Sequence, residues 1–204
     1  MQLFYTPDIS QDFYTFSKHE SQHCIKVLRK KNNDIIHLVD GKGKLYTAII
    51  IDSNPKACKI EITKIENEYQ KPNHYIHIAV APTKNTDRLE LFLEKATEIG
   101  IHQITPLLCS HSERKTIKPE RLEKIITAAL KQSQQFYRPQ LNPLTSYKTF
   151  IDKNTNGLIA HCREGDKPSL FSEASVAGQL TILIGPEGDF SEEEIMQALN
   201  KNFK

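Results

Sequence analysis

The apolar positions of this chain follow two different rhythms. From Lys59 to Ile65, charged and apolar residues alternate one by one, the period of a strand with one buried face. Further on, Leu89, Phe92, Leu93, Ala96 and Ile99 recur at spacings of three and four, the period of a helix with one apolar side. The strand rhythm governs residues 1–70. Ile35–Val39 is a short apolar run, Asp40-Gly41-Lys42-Gly43 reads as a tight turn, and Leu45–Ile51 resumes as a strand. One helix is expected around His19–Leu28. Together these predict a small barrel or curled sheet. Tyr69-Gln70-Lys71-Pro72-Asn73 has the polar, proline-bearing chemistry of a linker, and the domain boundary is placed there.

From His74 onward strands and helices take turns. Strands are predicted over Tyr75–Ala81, Ile104–Cys109, Gly157–Cys162 and Leu180–Ile184. Helices are predicted over Asp87–Ile99, closed by Gly100, and over Pro119–Gln134, with Leu122, Ile125, Ile126, Ala129 and Leu130 facing inward. Ser191 with Glu194 three residues on is a capping box that opens a last helix. Such alternation argues for an α/β domain with a mostly parallel sheet covered on both faces.

Parallel sheets bind ligands beyond the carboxyl ends of their strands. Two such ends stand out here. One is Ile159-Ala160-His161-Cys162-Arg163-Glu164. The other is Leu183-Ile184-Gly185-Pro186-Glu187-Gly188, where two glycines let a ligand approach the backbone and Pro186 stiffens the turn. Neither Gly-x-Gly-x-x-Gly nor Gly-Lys-Ser/Thr occurs, so the dinucleotide fingerprint and the phosphate loop are not met. Lys84 and Arg88, just past another strand end, are placed to hold phosphates, or are plain surface neighbours of a helix start. Lys95 and Glu98 read equally as a surface ion pair.

Composition narrows the class. The chain has 204 residues, enough for one large domain or two small ones. No apolar run is long enough to span a membrane. MQLFYTPDIS lacks the pattern of a secretory signal. Cys24, Cys58, Cys109 and Cys162 are widely spaced, which supports neither a zinc site nor a disulfide framework and suggests a reducing, cytoplasmic setting. The histidines are scattered, and no metal is expected. Net charge is only +2, but Ser112–Arg138 holds seven basic residues against three acidic ones. That local excess suits phosphate contacts, and equally a solvated helix face.

The residues also carry a resemblance. Ile184-Gly185-Pro186-Glu187-Gly188, followed by Phe190-Ser191 and acidic residues, resembles the cofactor loop of the RsmE family. These are 16S ribosomal RNA uracil-N3 methyltransferases of the SPOUT (α/β trefoil-knot) superfamily. His23-Cys24-Ile25-Lys26-Val27-Leu28-Arg29 is similar to the family's N-terminal signature. Lys84–Arg88 with Lys95–Gly100, and Ser112-Glu113-Arg114 with Arg121 and Ala129–Ser133, are similar to its central blocks. The match runs the length of the chain. Asp189 departs from it, standing where many members have glycine.

What the resemblance implies is specific. The fold would be a PUA-like β-barrel over residues 1–70 followed by a SPOUT knotted α/β methyltransferase domain over 74–204, acting as a homodimer. The cofactor would be S-adenosyl-L-methionine, held by Ala160, His161, Leu183, Ile184, Gly185, Glu187 and Gly188. Arg88 or Arg114 would stabilise the developing uracil anion as catalytic groups. Lys84, Arg88, Lys95, Arg114, Lys115 and Arg121, with His23 and Arg29 of the first domain, would contact ribosomal RNA of the small subunit. The family pattern continues past Lys204 into a Leu-Gly…Leu-Arg-Thr-Glu motif that completes the pocket, so this chain is expected to lack part of it. A related enzyme acting on tRNA or another ribosomal position, and a non-catalytic RNA-binding assembly factor, remain open alternatives.

Overall fold

A computed structural model describes residues 2–165, 167, 169–176 and 178–204. The chain forms two compact units: Met1–Lys71 with Thr127–Arg138, and Pro72–Ile126 with Pro139–Lys204.

The first unit is a five-stranded sheet of β1 (Leu3–Tyr5), β2 (Phe13–Thr15), β3 (Ile35–Val39), β4 (Leu45–Asp52) and β5 (Lys59–Glu66), in the order β1-β3-β4-β5-β2. Only β1 and β3 run parallel. The alternation in β5 does what it predicts at its start: Ile60 is buried while Lys59 and Glu61 are exposed. Helix α1 (Lys18–Gln22) starts at Ser17, whose hydroxyl accepts the Glu20 amide. It widens at once into a π-helical turn over His23–Val27. Phe4, Phe16, Leu38, Ile50 and Ile60 fill the core, with Cys24 and Cys58 fully buried among them. A second cluster joins Leu3, Val39 and Leu45 to Leu130 and Phe136. Gly43 is forced: its φ is +93°, and a Cβ there would lie 2.3 Å from the Tyr137 ring.

The second unit contains β6 (Tyr75–Val80), α2 (Thr86–Ile99), β7 (Gln103–Leu108), α3 (Pro119–Ser133, whose last turns count with the first unit), β8 (Gln140–Leu141), β9 (Thr145–Ser146), α4 (Tyr147–Lys153), β10 (Leu158–Ala160), α5 (Leu170–Val176), β11 (Gln179–Ile184) and α6 (Glu192–Asn200). Its sheet runs β10-β11-β6-β7-β8 with every pair parallel, and β9 also lies along β7. Strand side chains alternate between two cores. Ile78, Val80 and Ile104 join Leu89, Leu93 and Ile126 on one face. Ala79, Leu107, Ile159 and Leu183 join Tyr147, Phe150 and Ile195 on the other. The covered parallel sheet and the separate β-rich unit match the expected fold class.

Some elements differ from the expectation. The strand expected over Gly157–Cys162 is only Leu158–Ala160. Beyond it the chain turns, because the Cys162 amide bonds the Asp189 carboxylate and the Arg163 amide bonds His161 Nδ1. Helices α4 and α5 span seven residues each, too few turns for periodicity to stand out.

Candidate functional site

Strand order reverses at β6. The chain leaves it through α2 to β7 on one side, while β11 docks on the other. The loops leaving β6 and β11 lie side by side at the carboxyl ends of these strands, the edge of a parallel sheet where ligands bind. Several contacts join them. The Ala81 amide donates to Ile184 O at 2.9 Å, and the Lys84 amide donates to Glu187 Oε1 at 2.9 Å. Arg114, from the loop after β7, donates Nε–H to Thr83 O at 2.9 Å and an Nη–H to Lys84 O. Lys84 Nζ pairs with Glu113 at 3.0 Å, which raises the lysine pKa.

The β11 loop is tied on its other side as well. Asp189 Oδ2 accepts the Cys162 amide at 2.9 Å, and Oδ1 accepts the Phe190 amide at 2.8 Å. His111 Nδ1 lies 3.1 Å from both Gly188 O and Asp189 O. Gly185 is tightly placed, since a Cβ would meet the buried Phe190 ring at 3.0 Å and press it aside. Asp189 holds φ at +63°, the left-handed region that glycine adopts freely. This explains why glycine suits the position, and why aspartate here depends on the bonds its carboxylate makes.

Charge follows the same geometry. Amide donors, its own and that of Lys84, hold the Glu187 carboxyl below its ordinary range, and the charges of Arg88 and Lys84 add to this. Burial pushes Asp189 up, but the Cys162 and Phe190 amides with the charges of His161 and Arg163 outweigh it, so its net shift is downward. Nearby Cys109 is driven up to about 12, chiefly by burial, and is no nucleophile.

A cavity of about 750 Å³ runs along the outer strand, with Leu158, Ala160, His161, Cys162 and Ile182 in its walls. That volume and its mainly apolar walls with a few polar groups suit a ligand of cofactor size. Ala160 is the register partner of Ile184, so the two strand ends proposed for the cofactor lie side by side. Leu183 is wholly buried and supports the loop from beneath.

The basic candidates divide. Arg88 is exposed at the start of α2, near enough to Glu187 to influence it. Arg114 is engaged with two backbone carbonyls. Arg121 forks onto Glu90, Nε–Oε1 at 2.6 Å and Nη–Oε2 at 2.8 Å. Arg114, Lys118 and Arg121 line a smaller cleft of about 160 Å³ between α2 and α3. Lys95 is occupied by Glu94 and Glu98. Lys115 is exposed. His23 and Arg29 belong to the first unit, where the His23 ring sits edge-on to Phe4, 6.2 Å between centroids.

Two features escaped the sequence reading. His111 was one of the scattered histidines, and nothing local distinguishes it. His19-Glu20-Ser21-Gln22-His23 spells His-Glu-x-x-His, a zinc-peptidase string. In the fold its Glu20 pairs with Lys131 at 3.0 Å. Among the described residues, no three His, Cys, Asp or Glu side chains are grouped to hold a metal ion.

Fold and site thus define an α/β protein with joined loops at its switch point, a cavity along β10, and a separate β-rich unit. Comparison supplies the particular family. The profile described as the RNA methyltransferase domain matches residues 70–204, and that of the RNA methyltransferase PUA domain matches residues 16–63. The chain belongs to the RNA methyltransferase domain family, and its fold is of the SPOUT type with an N-terminal PUA-like domain. A probable rRNA-methyltransferase from Porphyromonas gingivalis superposes with a TM-score of 0.90 at 37% identity, covering 100% of this chain and 87% of that one. Ribosomal RNA small subunit methyltransferase E from Neisseria gonorrhoeae, solved bound to S-adenosyl methionine, gives 0.82 at 25% identity, covering 100% and 87%. The same-named protein of Rickettsia conorii is 28% identical over 92% of this chain and 78% of its own length.

Proposed function

We propose that this chain methylates N3 of a uracil in small-subunit ribosomal RNA, using S-adenosyl-L-methionine, in the cytoplasm and as a homodimer. One observation carries the reading: the glycine-bearing β11 loop and the end of β10 sit side by side at the carboxyl ends of the parallel sheet of an RNA methyltransferase domain. A relative of the same architecture is solved with that cofactor bound.

When bound, the cofactor supplies an electrophilic methyl group on a sulfonium sulfur. Backbone groups of Leu183–Gly188, with Ala160 and His161, hold its adenine and ribose ends and fix the geometry on which displacement depends. The uracil N3 proton must leave before or during transfer. The charge of Arg88 at the mouth stabilises the resulting anion. Arg114, spent on Thr83 O and Lys84 O, shapes the wall rather than meeting the base. Lys84, Lys115 and Arg121 contact phosphates beside the site, with Lys95 released from its ion pairs to join them. His23 and Arg29 extend the contact on the PUA-like unit. The base must be turned out of its stack to reach the site.

The test is transfer of labelled methyl from the cofactor to small ribosomal subunits lacking the modification, with mass spectrometry of the digested RNA. The expected product is 3-methyluridine. Methylation at another atom or on tRNA would reassign the substrate, and binding of RNA without any transfer would leave an assembly factor.

A further inference from the structure

We infer that His111 is a positioning residue, whose Nδ1–H holds the Pro186–Asp189 turn in the shape that receives the cofactor. The inference rests on the reading of that loop as the cofactor site.

The geometry fixes the chemistry of the imidazole. Gly188 O and Asp189 O are both acceptors, and Nδ1 is 3.1 Å from each. Nδ1 must therefore carry a proton and share it between them. The contact is steric too. A Cβ at Gly188 would lie 3.2 Å from His111 Cβ, so the glycine lets the turn come this close.

The histidine itself is anchored on both sides. Ser110 donates its amide to the buried carboxylate of Glu194 at 2.8 Å. The buried Ser112 hydroxyl accepts the Cys109 amide at 3.0 Å, and the Ser112 amide returns a bond to Cys109 O at 3.1 Å. The imidazole thus extends from a fastened backbone onto a turn that includes a left-handed aspartate. A residue in that conformation persists only where surrounding bonds over-determine it. Within the turn, the Asp189 amide bonds Pro186 O and its carboxylate accepts the Phe190 amide. From outside the turn, the Cys162 amide braces its carboxylate and His111 braces its carbonyl. Together they tie the loops after β7, β10 and β11 into one frame around Gly185–Gly188.

The test compares S-adenosylmethionine binding by calorimetry for the full chain and for His111→Ala, His111→Asn and His111→Gln. The amide nitrogen of asparagine falls where Nδ1 lies, whereas that of glutamine reaches towards Nε2. His111→Ala and His111→Gln should weaken binding roughly tenfold, the loss of about one hydrogen bond. His111→Asn should stay within about twofold. In turnover, His111→Ala should raise the KM for the cofactor more than it lowers kcat. Thermal melts accompany each variant, so that loss of the fold is told apart from a loosened turn. Binding by His111→Ala equal to wild type overturns the inference, as does an asparagine variant as weak as alanine. The same series is run on a chain extended through the Leu-Gly…Leu-Arg-Thr-Glu motif, and an extended chain that does not bind the cofactor overturns the reading of the loop itself, and the inference with it.

Discussion

Arg114 carries a full charge yet directs it at the protein's own backbone. Its planar fork serves two carbonyls at once, which an ammonium on a flexible stem cannot reproduce. Arg114→Lys should therefore lower methyl transfer by about tenfold with little change in melting temperature. Arg88→Ala should leave melting unchanged and act on kcat, because that side chain is exposed and supports no packing. His77 gives a different prediction. It is 6% exposed, bonded to Thr105 Oγ1 at 2.7 Å, and burial holds its pKa down to about 4 from an ordinary 6.5. Between those values the unfolded chain binds a proton that the folded protein refuses. Stability should then fall as pH drops from about 6.5 towards 4, by on the order of 3 kcal/mol, and level off below. Urea unfolding across that range would show the slope, and His77→Gln should flatten it. At this scale the sequence revealed whatever is local. Gly185 and Gly188 announce a close backbone approach, and Asp189 stood out as a departure. His111 did not, since its role exists only through carbonyls 77 and 78 positions further along the chain.

Helix α6 shows how an element places a site. Ser191 and Glu194 close its capping box, and Glu194 Oε1 also accepts the Ser110 amide from the loop after β7. Cap and loop share one buried carboxylate. Ser191→Ala should cost about 1 kcal/mol, the usual worth of an N-cap. Glu194→Ala should cost about 2 kcal/mol or more, because it strands two amide donors in a poorly solvated place. Equal losses in chemical denaturation would show that the carboxylate acts only as a cap. The box was legible as Ser-x-x-Glu ahead of an apolar run, α2 and α3 through sustained helical periodicity, and β6, β7 and β11 as short apolar runs. Short elements were not. β8 and β9 have two residues each, and β10 is cut to three by bonds made to the Asp189 loop.

For the molecule as a whole, covalent continuity and compactness differ. Leu130 and Phe136 pack with Leu3, Val39 and Leu45, although the linker chemistry lies near residue 70. A fragment ending at Lys71 should then expose apolar surface and unfold at lower urea than one supplied with residues 127–138 as a peptide. Increased binding of a hydrophobic dye would report it. No local rhythm encodes that return, so the sequence shows only the linker.

The sheet order has a consequence in time. β11 lies between β10 and β6, so β10 has no neighbouring strand until residues 179–184 arrive. The bond from the Lys84 amide to Glu187 closes a loop of 103 positions. Contacts this distant form late, because chain entropy opposes them until nearer ones have organised the ends. Every newly made copy must therefore assemble its sheet before the loops after β6 and β11 meet. A ligand that binds there tells a finished molecule from an unfinished one, and by mass action it holds the last strand in place.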